Sequence, residues 1–283
     1  MKTLTLQAPA KINLFLDVTN KREDGYHDIV SVMMPVSLSD EITLTYDEGD
    51  ELRVFCDVDV CEEQKNIAYK AAKLFFDITG KKCGKTHITI KKNIPHEAGL
   101  AGGSTDAAAV LLALNELTSA GLTEEELCAI GKQLGADVPF CIVKRPMLTE
   151  GIGEIFTPIP GLPECYIVVA KDGEGVSTKD AYARIDEIGC KVHKDHTPLI
   201  NALEVGDLTL IKEGTYNLFE EAVLPIRERA KSLFDYMSEK ADVTRMSGSG
   251  PTILGIFKDE TKATAMINEL IAKGIKAHLC RPI

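Results

Sequence analysis

Positive charge is in short supply in this sequence. Its 283 residues carry 32 Lys and Arg against 43 Asp and Glu, a formal net charge of −11. That balance disfavours nucleic acid backbones and anionic lipid as partners, although it leaves room for a local basic patch. No run approaches the ~20 uninterrupted apolar residues that a membrane span needs. The opening stretch MKTLTLQAPAKINLFLDV alternates and carries a charge within its apolar part, unlike a secretory leader. Eight cysteines, at 56, 61, 83, 128, 141, 165, 190 and 280, include no Cys-x-x-Cys pair. Free, reduced thiols in a cytoplasmic protein are therefore expected, not a disulfide framework or a zinc site. Internal repeats and low-complexity tracts are also missing. What is present is an ordinary globular mixture, 45% hydrophobic and 27% charged, of a length that suits one large domain or two lobes.

The pattern predicts strands over most of the first 55 residues. TLTLQAPAKINLFLDV, IVSVMMPVSL and EITLTY read as strands, with the turn-like NKREDGYH after the first. Helical spacing of Ile67, Ala68, Ala71, Leu74, Phe75 and Ile78 predicts a helix over 66–78, followed by a strand in KTHITIKKNI. A helix is expected over 105–117 and another over 123–134, the second opened by a Thr123/Glu126 capping box. Seven Pro and Gly residues between Pro146 and Pro163 suggest a boundary, dividing the chain into 1–158 and 159–283. Beyond it the expected order is strand ECYIVVAK, helix STKDAYARIDEI, helices over 215–223 and 225–240, then strand, glycine loop and strand in DVTRMSGSGPTILGIF. A helix over 261–273 and the strand IKAHLC end the chain. Strands and helices mix without strict βαβ repetition, so the fold class is α+β.

The stretch IPHEAGLAGGSTDAAAVLLALN places Gly99, Gly102 and Gly103 directly before a long apolar helix. Glycine allows backbone N–H groups to converge on one point, because no Cβ blocks close approach or positive φ. The helix N-terminus adds unpaired donors and about half a unit of positive charge. Ser104 and Thr105 can cap that helix or offer hydroxyls to a phosphate-bound cation. The combination suits a di- or triphosphate, but a tight strand-to-helix turn with a hydroxyl cap reads equally simply. Neither a P-loop nor GxGxxG is present.

Three further stretches bear on the choice. Lys11 stands in a strand beside Ile12, Leu14 and Leu16, either at a strand edge or aimed into a polar site. Asp137 in LGADVPF follows a helix end and precedes an apolar segment read as a strand, where a turn or cap role is the plain alternative. MSGSGPT supplies a second glycine loop over 247–250, which alone would mean only a turn.

In this order and at these separations, PAKINLFL, PHEAGLAGGSTDAA, GADVPF and SGSGPT resemble the GHMP small-molecule kinases. The likeness extends from Ala8 to the last helix and strand. GYH, GADVPF and EGIGE most resemble the branch acting on a cytidine diphosphate-linked sugar alcohol, with DGYH favouring a cytosine site. The resemblance implies a two-lobed α+β fold with mixed sheets, packed helices and an active site between the lobes. It implies ATP and Mg²⁺, the metal bridging phosphate oxygens without dedicated protein ligands. Pro95, His96, Glu97, Ala98, Gly99, Leu100, Ala101, Gly102, Gly103, Ser104 and Thr105 match the ATP phosphate loop. Asp137 matches the catalytic base and Lys11 the lysine paired with it. Asn13, two residues on along the same strand face, is positioned for the same ligand. Tyr26 and His27 match residues that hold the cytosine, and Tyr182 an aromatic on the ring's opposite face.

Two positions depart from the family pattern. Glu97 replaces a small or apolar residue, and repulsion from triphosphate predicts that it points to solvent. VKRPML replaces a glycine-containing turn, and Pro146 cannot donate a strand hydrogen bond, so a bent edge is expected there. His193 and His196 read as polar-loop residues, and His87 and His278 as strand residues, with no metal implied. Two rivals remain at this level: another GHMP kinase acting on homoserine, mevalonate or a sugar, and a non-catalytic nucleotide-binding relative.

Overall fold

The computed structural model describes residues 1–58, 61–189 and 193–283. Strands β1 (Lys2–Lys21) and β2 (His27–Asp47) come first. The segments expected as two separate strands, IVSVMMPVSL and EITLTY, are halves of this one β2. Strand β3 (Asp50–Cys56) precedes helix α1 (Ile67–Thr79), whose N-cap Asn66 accepts from the Ala68 N–H and whose C-cap is the left-handed Gly80. Strand β4 (Gly84–Lys91) alternates buried and exposed side chains, as a half-buried strand should. Helices α2 (Gly102–Leu117) and α3 (Glu124–Lys132) follow, and the Thr123/Glu126 capping box of α3 forms as expected.

The apolar segment after Asp137 is not a strand. It is a short helix, α4 (Val138–Val143), with Pro139 in its first turn and Lys144 left-handed at its end. Six buried apolar residues carry no periodicity that separates strand from helix, and packing on α2 and α3 decides the outcome. Strands β5 (Met147–Glu150), β6 (Ile155–Pro158) and β7 (Tyr166–Lys171) come next. Pro146 lies just outside β5, so the bend expected at VKRPML is the Lys144–Arg145–Pro146 link between helix and strand. Helix α5 (Thr178–Ile188) is capped by Ser177. Helices α6 (Thr197–Val205) and α7 (Leu208–Gly214) fall where the sequence pattern predicts no element. Strand β8 (Tyr216–Asn217) and helix α8 (Phe219–Val223) divide the single helix expected over 215–223. Helix α9 (Glu228–Ser238), strands β9 (Val243–Met246) and β10 (Ile253–Phe257), helix α10 (Glu260–Ala272) and strand β11 (Lys276–Cys280) complete the chain.

These elements form two compact units that interleave along the sequence. One comprises Met1–Ala10, Ser39–His96 and Ala101–Lys144; the other comprises Lys11–Leu38, Glu97–Leu100 and Arg145–Ile283. A single boundary at 158/159 does not coincide with them, because β1 and β2 each give residues to both. In the first unit the strand order is β3-β4-β2-β1, with β4 parallel to β3 and antiparallel to β2. Helix α2 is its centre, contacting α1, α3 and α4. Its Ala107, Ala108 and Ala109 are fully buried, and such small side chains let neighbours approach closely. This helix is packing core, as its alanine content predicts.

In the second unit β8 lies parallel to β1 at Phe15 and Leu16, while β5 pairs with β2 and β6 with β5. A separate antiparallel sheet runs β11-β7-β10-β9. Its Val168, Ile253 and Phe257 share a core with Phe219 of α8, Leu233 of α9 and Leu270 of α10. Among the described residues no helix is long and apolar enough to cross a membrane. The seven described cysteines are free. Cys190 lies outside the described residues.

Candidate active site

The glycine loop is held in a backbone state that most residues avoid. Glu97, Gly99 and Ala101 all have positive φ, +48°, +70° and +59°, while Ala98 and Leu100 between them do not. For Glu97 and Ala101 this conformation costs on the order of 1–2 kcal/mol each, so surrounding contacts must hold it. At Gly99 the reason for glycine is explicit: a Cβ would stand 2.1 Å from the Ser247 carbonyl oxygen. Ser247 Oγ also donates to the Gly99 carbonyl at 3.1 Å, and the Lys11 N–H donates to the Leu100 carbonyl at 3.1 Å. Lys171 Nζ donates to the Glu97 carbonyl at 3.1 Å. The Glu97 side chain is exposed, as predicted, and abuts the bare Cα of Gly175.

The start of α2 corrects the sequence reading. Gly102 and Gly103 are its first two residues rather than part of the loop, and Ser104 and Thr105 lie within the helix rather than capping it. The N-cap is Ala101, which has no side chain able to cap. The first-turn N–H donors are therefore left for another partner, at the positive end of a 16-residue helix. Thr105 is fully buried and its hydroxyl has no hydrogen-bond partner among the described residues. Unspent amides and an orphaned hydroxyl fit a polyphosphate with its cation. Pro95 and His96 lead into this turn, Pro95 half-buried and His96 exposed.

A buried ionic cluster supports the same helix end. Lys92 donates to Asp40 and, at 2.7 Å, to Asp106 Oδ2. Asp40 Oδ1 in turn accepts from the N–H groups of Asn93 and Ile94, at 2.6 and 2.8 Å. One lysine thus ties β2, the end of β4 and the second turn of α2 together. Burial pushes the Asp106 carboxyl from 3.8 up to about 7, against the pull of Lys92 and with the push of Asp40. Burial works to lower the Lys92 ammonium, and Asp106 and Asp40 more than offset it, so its pKa is raised. Sequence reasoning passed over this cluster, although one charge inside STDAAAVLLAL was a usable signal.

The second glycine loop is more than a turn. Its Gly248 has φ +59°, and a Cβ there would lie 3.1 Å from the Gly99 carbonyl oxygen and 3.4 Å from Lys11 Nζ. Lys11 is 4% exposed, so the polar-site alternative holds over the strand-edge one. Its Nζ donates to Asn13 Oδ1 at 2.7 Å; Asn13 Nδ2 donates to Ser31 Oγ at 2.8 Å; Ser31 donates to the Phe15 carbonyl at 2.7 Å. Period-two placement on β1 thus brings Lys11 and Asn13 together. Asp137 is the half-buried N-cap residue of α4, and its carboxylate makes no cap hydrogen bond to that helix.

Of the expected base-binding residues, Tyr26 is 60% exposed at the end of the β1–β2 turn. His27 stacks on Tyr182, with centroids 4.8 Å apart and rings inclined at 22°. Tyr182 also packs at right angles to Phe219, with ring centroids 5.0 Å apart. One face of Tyr182 is thereby covered by protein. His27 Nε2 lies 2.9 Å from Asp186 Oδ1, while Lys21 Nζ donates to Asp186 Oδ2 at 2.6 Å. Hydrogen bonds from Lys21 and His27 hold the Asp186 carboxyl below its usual range. Neither Lys21 nor Asp186 was picked out from the sequence, since each reads as a solvated charge. Elsewhere His193 Nδ1 lies 3.2 Å from Asp17 Oδ2, and no described cluster of His, Cys, Asp and Glu could hold a metal ion.

The Asp106 carboxyl makes a testable contribution to stability. Between pH 3.8 and about 7 the folded chain holds a proton there that the unfolded chain has released. This group therefore favours folding most below 3.8, and that contribution is lost as pH rises towards about 7. Asp106→Asn removes the titration, so urea unfolding across that window should show a less downward trend with pH than wild type. Parallel trends in the two proteins would contradict the assignment.

Comparison with other proteins agrees with this geometry. The GHMP kinases N terminal domain model matches residues 66–145 and the GHMP kinases C terminal model matches 199–276. A 4-diphosphocytidyl-2-C-methyl-D-erythritol kinase of Lachnospira eligens is 38% identical over 276 residues, covering 97% of this chain and 96% of its own. One of the same name from Exiguobacterium sibiricum is 40% identical over 270 residues, covering 95% and 94%. A crystal structure of 4-(cytidine 5'-diphospho)-2C-methyl-D-erythritol kinase superposes with TM-score 0.84 at 31% identity, covering 99% of both chains. A homoserine kinase from Cytophaga hutchinsonii shares the fold, with TM-score 0.74 at 19% identity over 100% of this chain and 95% of its own. Matched by both domain models and by full-length relatives, this chain belongs to the GHMP kinase family.

Proposed function

We propose that this chain transfers the γ-phosphoryl group of ATP to the 2-hydroxyl of 4-(cytidine 5'-diphospho)-2-C-methyl-D-erythritol, a cytoplasmic step in non-mevalonate isoprenoid precursor biosynthesis. The observation that carries the reading is the 38–40% identity, over nearly the whole chain, to relatives of that one name. Likeness to homoserine and mevalonate kinases lies at 14–19% identity and speaks for the fold alone.

Phosphoryl transfer is mainly positioning and charge stabilisation, and the residues suit that division of labour. Backbone amides of the turn that follows Pro95 and of the uncapped start of α2, Gly102 to Thr105, bind the β- and γ-phosphates. Mg²⁺ supplies charge neutralisation at the phosphate oxygens, with the Ser104 and Thr105 hydroxyls available to it. Asp137 accepts the hydroxyl proton as the oxygen attacks phosphorus and ADP leaves. Lys11, aimed by Asn13, is the lysine of the pair, and its ammonium stabilises the negative charge that develops on the attacking oxygen. Tyr26, His27 and Tyr182 hold the cytosine. With one Tyr182 face covered by His27, a base stacking on that face displaces His27.

The decisive experiment offers ATP and a panel of alcohols: the cytidine diphosphate conjugate, its uridine analogue, mevalonate and homoserine. Wild type should use the cytidine conjugate and reject the uridine one, because a donor or acceptor facing the wrong exocyclic group is left unpaired. Tyr26→Ala and His27→Ala should lose mainly kcat/KM for the cytidine conjugate, on the scale of the ~1–3 kcal/mol that base stacking provides elsewhere. Equal use of both bases would sink the cytosine assignment. Asp137→Asn should bind ATP normally yet transfer ~10²–10⁴-fold more slowly, and wild-type turnover would remove Asp137 from the chemistry. Gly99→Ala places a methyl against the Ser247 carbonyl at a left-handed position, so calorimetry should show weaker ATP binding. An unchanged affinity would make the loop purely structural.

A further inference from the structure

The Asn217 amide sits where nothing in the proposed chemistry calls for it, and it is 1% exposed. Its Nδ2 donates to two carbonyls two residues apart, Met246 at 2.7 Å and Gly248 at 2.9 Å. Its Oδ1 accepts from the Phe219 N–H at 2.9 Å. Glu220, three residues further on, takes the remaining backbone group of Met246: Oε1 accepts its N–H at 2.8 Å. Both main-chain groups of Met246 and the carbonyl of Gly248 are thus held from a single turn of chain.

What these contacts hold is the 247–250 loop. That loop closes on itself through Ser247 N–H to the Thr252 carbonyl, 2.9 Å, and Gly250 N–H to the Ser247 carbonyl, 3.0 Å. It meets the phosphate loop where Ser247 Oγ donates to the Gly99 carbonyl. From there the Leu100 carbonyl accepts from the Lys11 N–H on β1, and the Leu16 carbonyl of β1 accepts from the Leu218 N–H beside Asn217. The path is a closed ring: β1, Asn217, second glycine loop, Gly99 turn, and β1 again at Lys11. A second tie joins Ser249 Oγ to Thr178 Oγ1 at 3.2 Å.

We propose that Asn217, with Glu220, is a positioning residue for phosphoryl transfer: it fixes the second glycine loop in the shape that sets the Gly99 turn and the backbone beside the Lys11 ammonium. The amide is the one side chain of this size and shape that can donate twice and accept once there. Aspartate has the shape but no proton for either carbonyl when ionised. Towards Met246, Glu220 needs only an acceptor oxygen, which glutamine keeps while giving up the ion pair with Arg245 Nη1 at 3.8 Å.

The proposal rests on the ATP-binding part of the kinase reading and not on the acceptor's identity. Its test measures ATP binding by calorimetry, kcat and both KM values, and thermal unfolding, for wild type, Asn217→Asp, Glu220→Gln and Glu220→Ala. Asn217→Asp should weaken ATP binding roughly 10- to 100-fold, the scale of a buried hydrogen-bonding group left unmatched, and lower kcat. The KM for the acceptor should change less than the ATP affinity, since aspartate keeps the acceptor oxygen for the Phe219 N–H behind Tyr182 and the clamp touches neither Tyr26 nor His27. Glu220→Gln should keep wild-type ATP affinity and kcat, with any loss confined to thermal stability through Arg245, and Glu220→Ala should follow Asn217→Asp. Unchanged ATP affinity in Asn217→Asp, losses that merely track the unfolded fraction, or equal damage from Gln and Ala at 220 would overturn it. If Asn217→Asp does not fold, the Gln/Ala contrast at 220 decides alone. Should wild type bind ATP but ignore the cytidine conjugate, the acceptor assignment falls while the ATP affinities still judge Asn217.

Discussion

Two backbones meet at Gly99 with no room for a side chain. The Ser247 carbonyl occupies the place a Cβ would take, so the phosphate loop and the second glycine loop can approach only because residue 99 has none. Much else follows from that contact. It places a hydroxyl donor on the Gly99 carbonyl, and it accompanies left-handed turns at Glu97 and Ala101 that neither residue would adopt alone. It also puts Gly248 beside Lys11, where a second side chain would crowd the ammonium. A tight backbone junction of this kind fixes N–H directions more firmly than side chains could, because main-chain groups have no rotamers to lose. Preorganised donors are what a charged, transferring phosphoryl group rewards most.

The start of α2 shows how that junction and the helix divide the work. A side-chain cap would satisfy the helix's own donors and leave nothing for a ligand. Ala101 declines that role, and the helix end is stabilised from below instead, through Lys92 gripping both Asp40 and Asp106. The cost of burying three charges is considerable, since a buried ion pair commonly only breaks even against apolar packing. Asp40 lessens it by accepting two backbone N–H groups, which fixes the Asn93–Ile94 lead into the loop. Asp106 lessens it differently, by holding a proton further up the pH scale than an exposed carboxyl would. A cluster nearer neutrality is also a better neighbour for a polyphosphate than one bearing a full excess negative charge.

Legibility in the sequence followed the range of the physics involved. Local signals were readable: the Thr123/Glu126 box, helix α1 (Ile67–Thr79) and the alternation of β4 all depend on residues within a few positions. The α+β class and the grouping of Lys11 with Asn13 depend on short-range periodicity and also came through. Misreadings arose where tertiary contacts outweighed local preference. VPFCIV is apolar and partly β-branched, yet it coils because it is enclosed on all sides. Gly102 and Gly103 have poor helix propensity, yet they extend α2 because their small size admits Ile94 and Ile67 nearby. Ser104 and Thr105 looked like caps only on the assumption that the helix began after them.

The site residues missed by sequence reasoning share one property: each acts through a partner far along the chain. Asp186 is 159 positions from His27, and Asn217 reaches Met246 and Gly248 across 29 and 31 positions. No spacing rule marks such residues, and Asn217 falls inside a stretch whose pattern predicts a helix over 215–223. For Asn217 the signature appears only as burial combined with complete hydrogen-bond satisfaction. A buried amide that spends both protons on backbone carbonyls constrains where two strands of chain can go, and it does so directionally. Apolar packing at the same place would hold the loop near β1 without fixing its orientation. For a reaction whose catalysis is mostly placement, orientation of the loop is the quantity that matters, and a buried amide is a chemically economical way to set it.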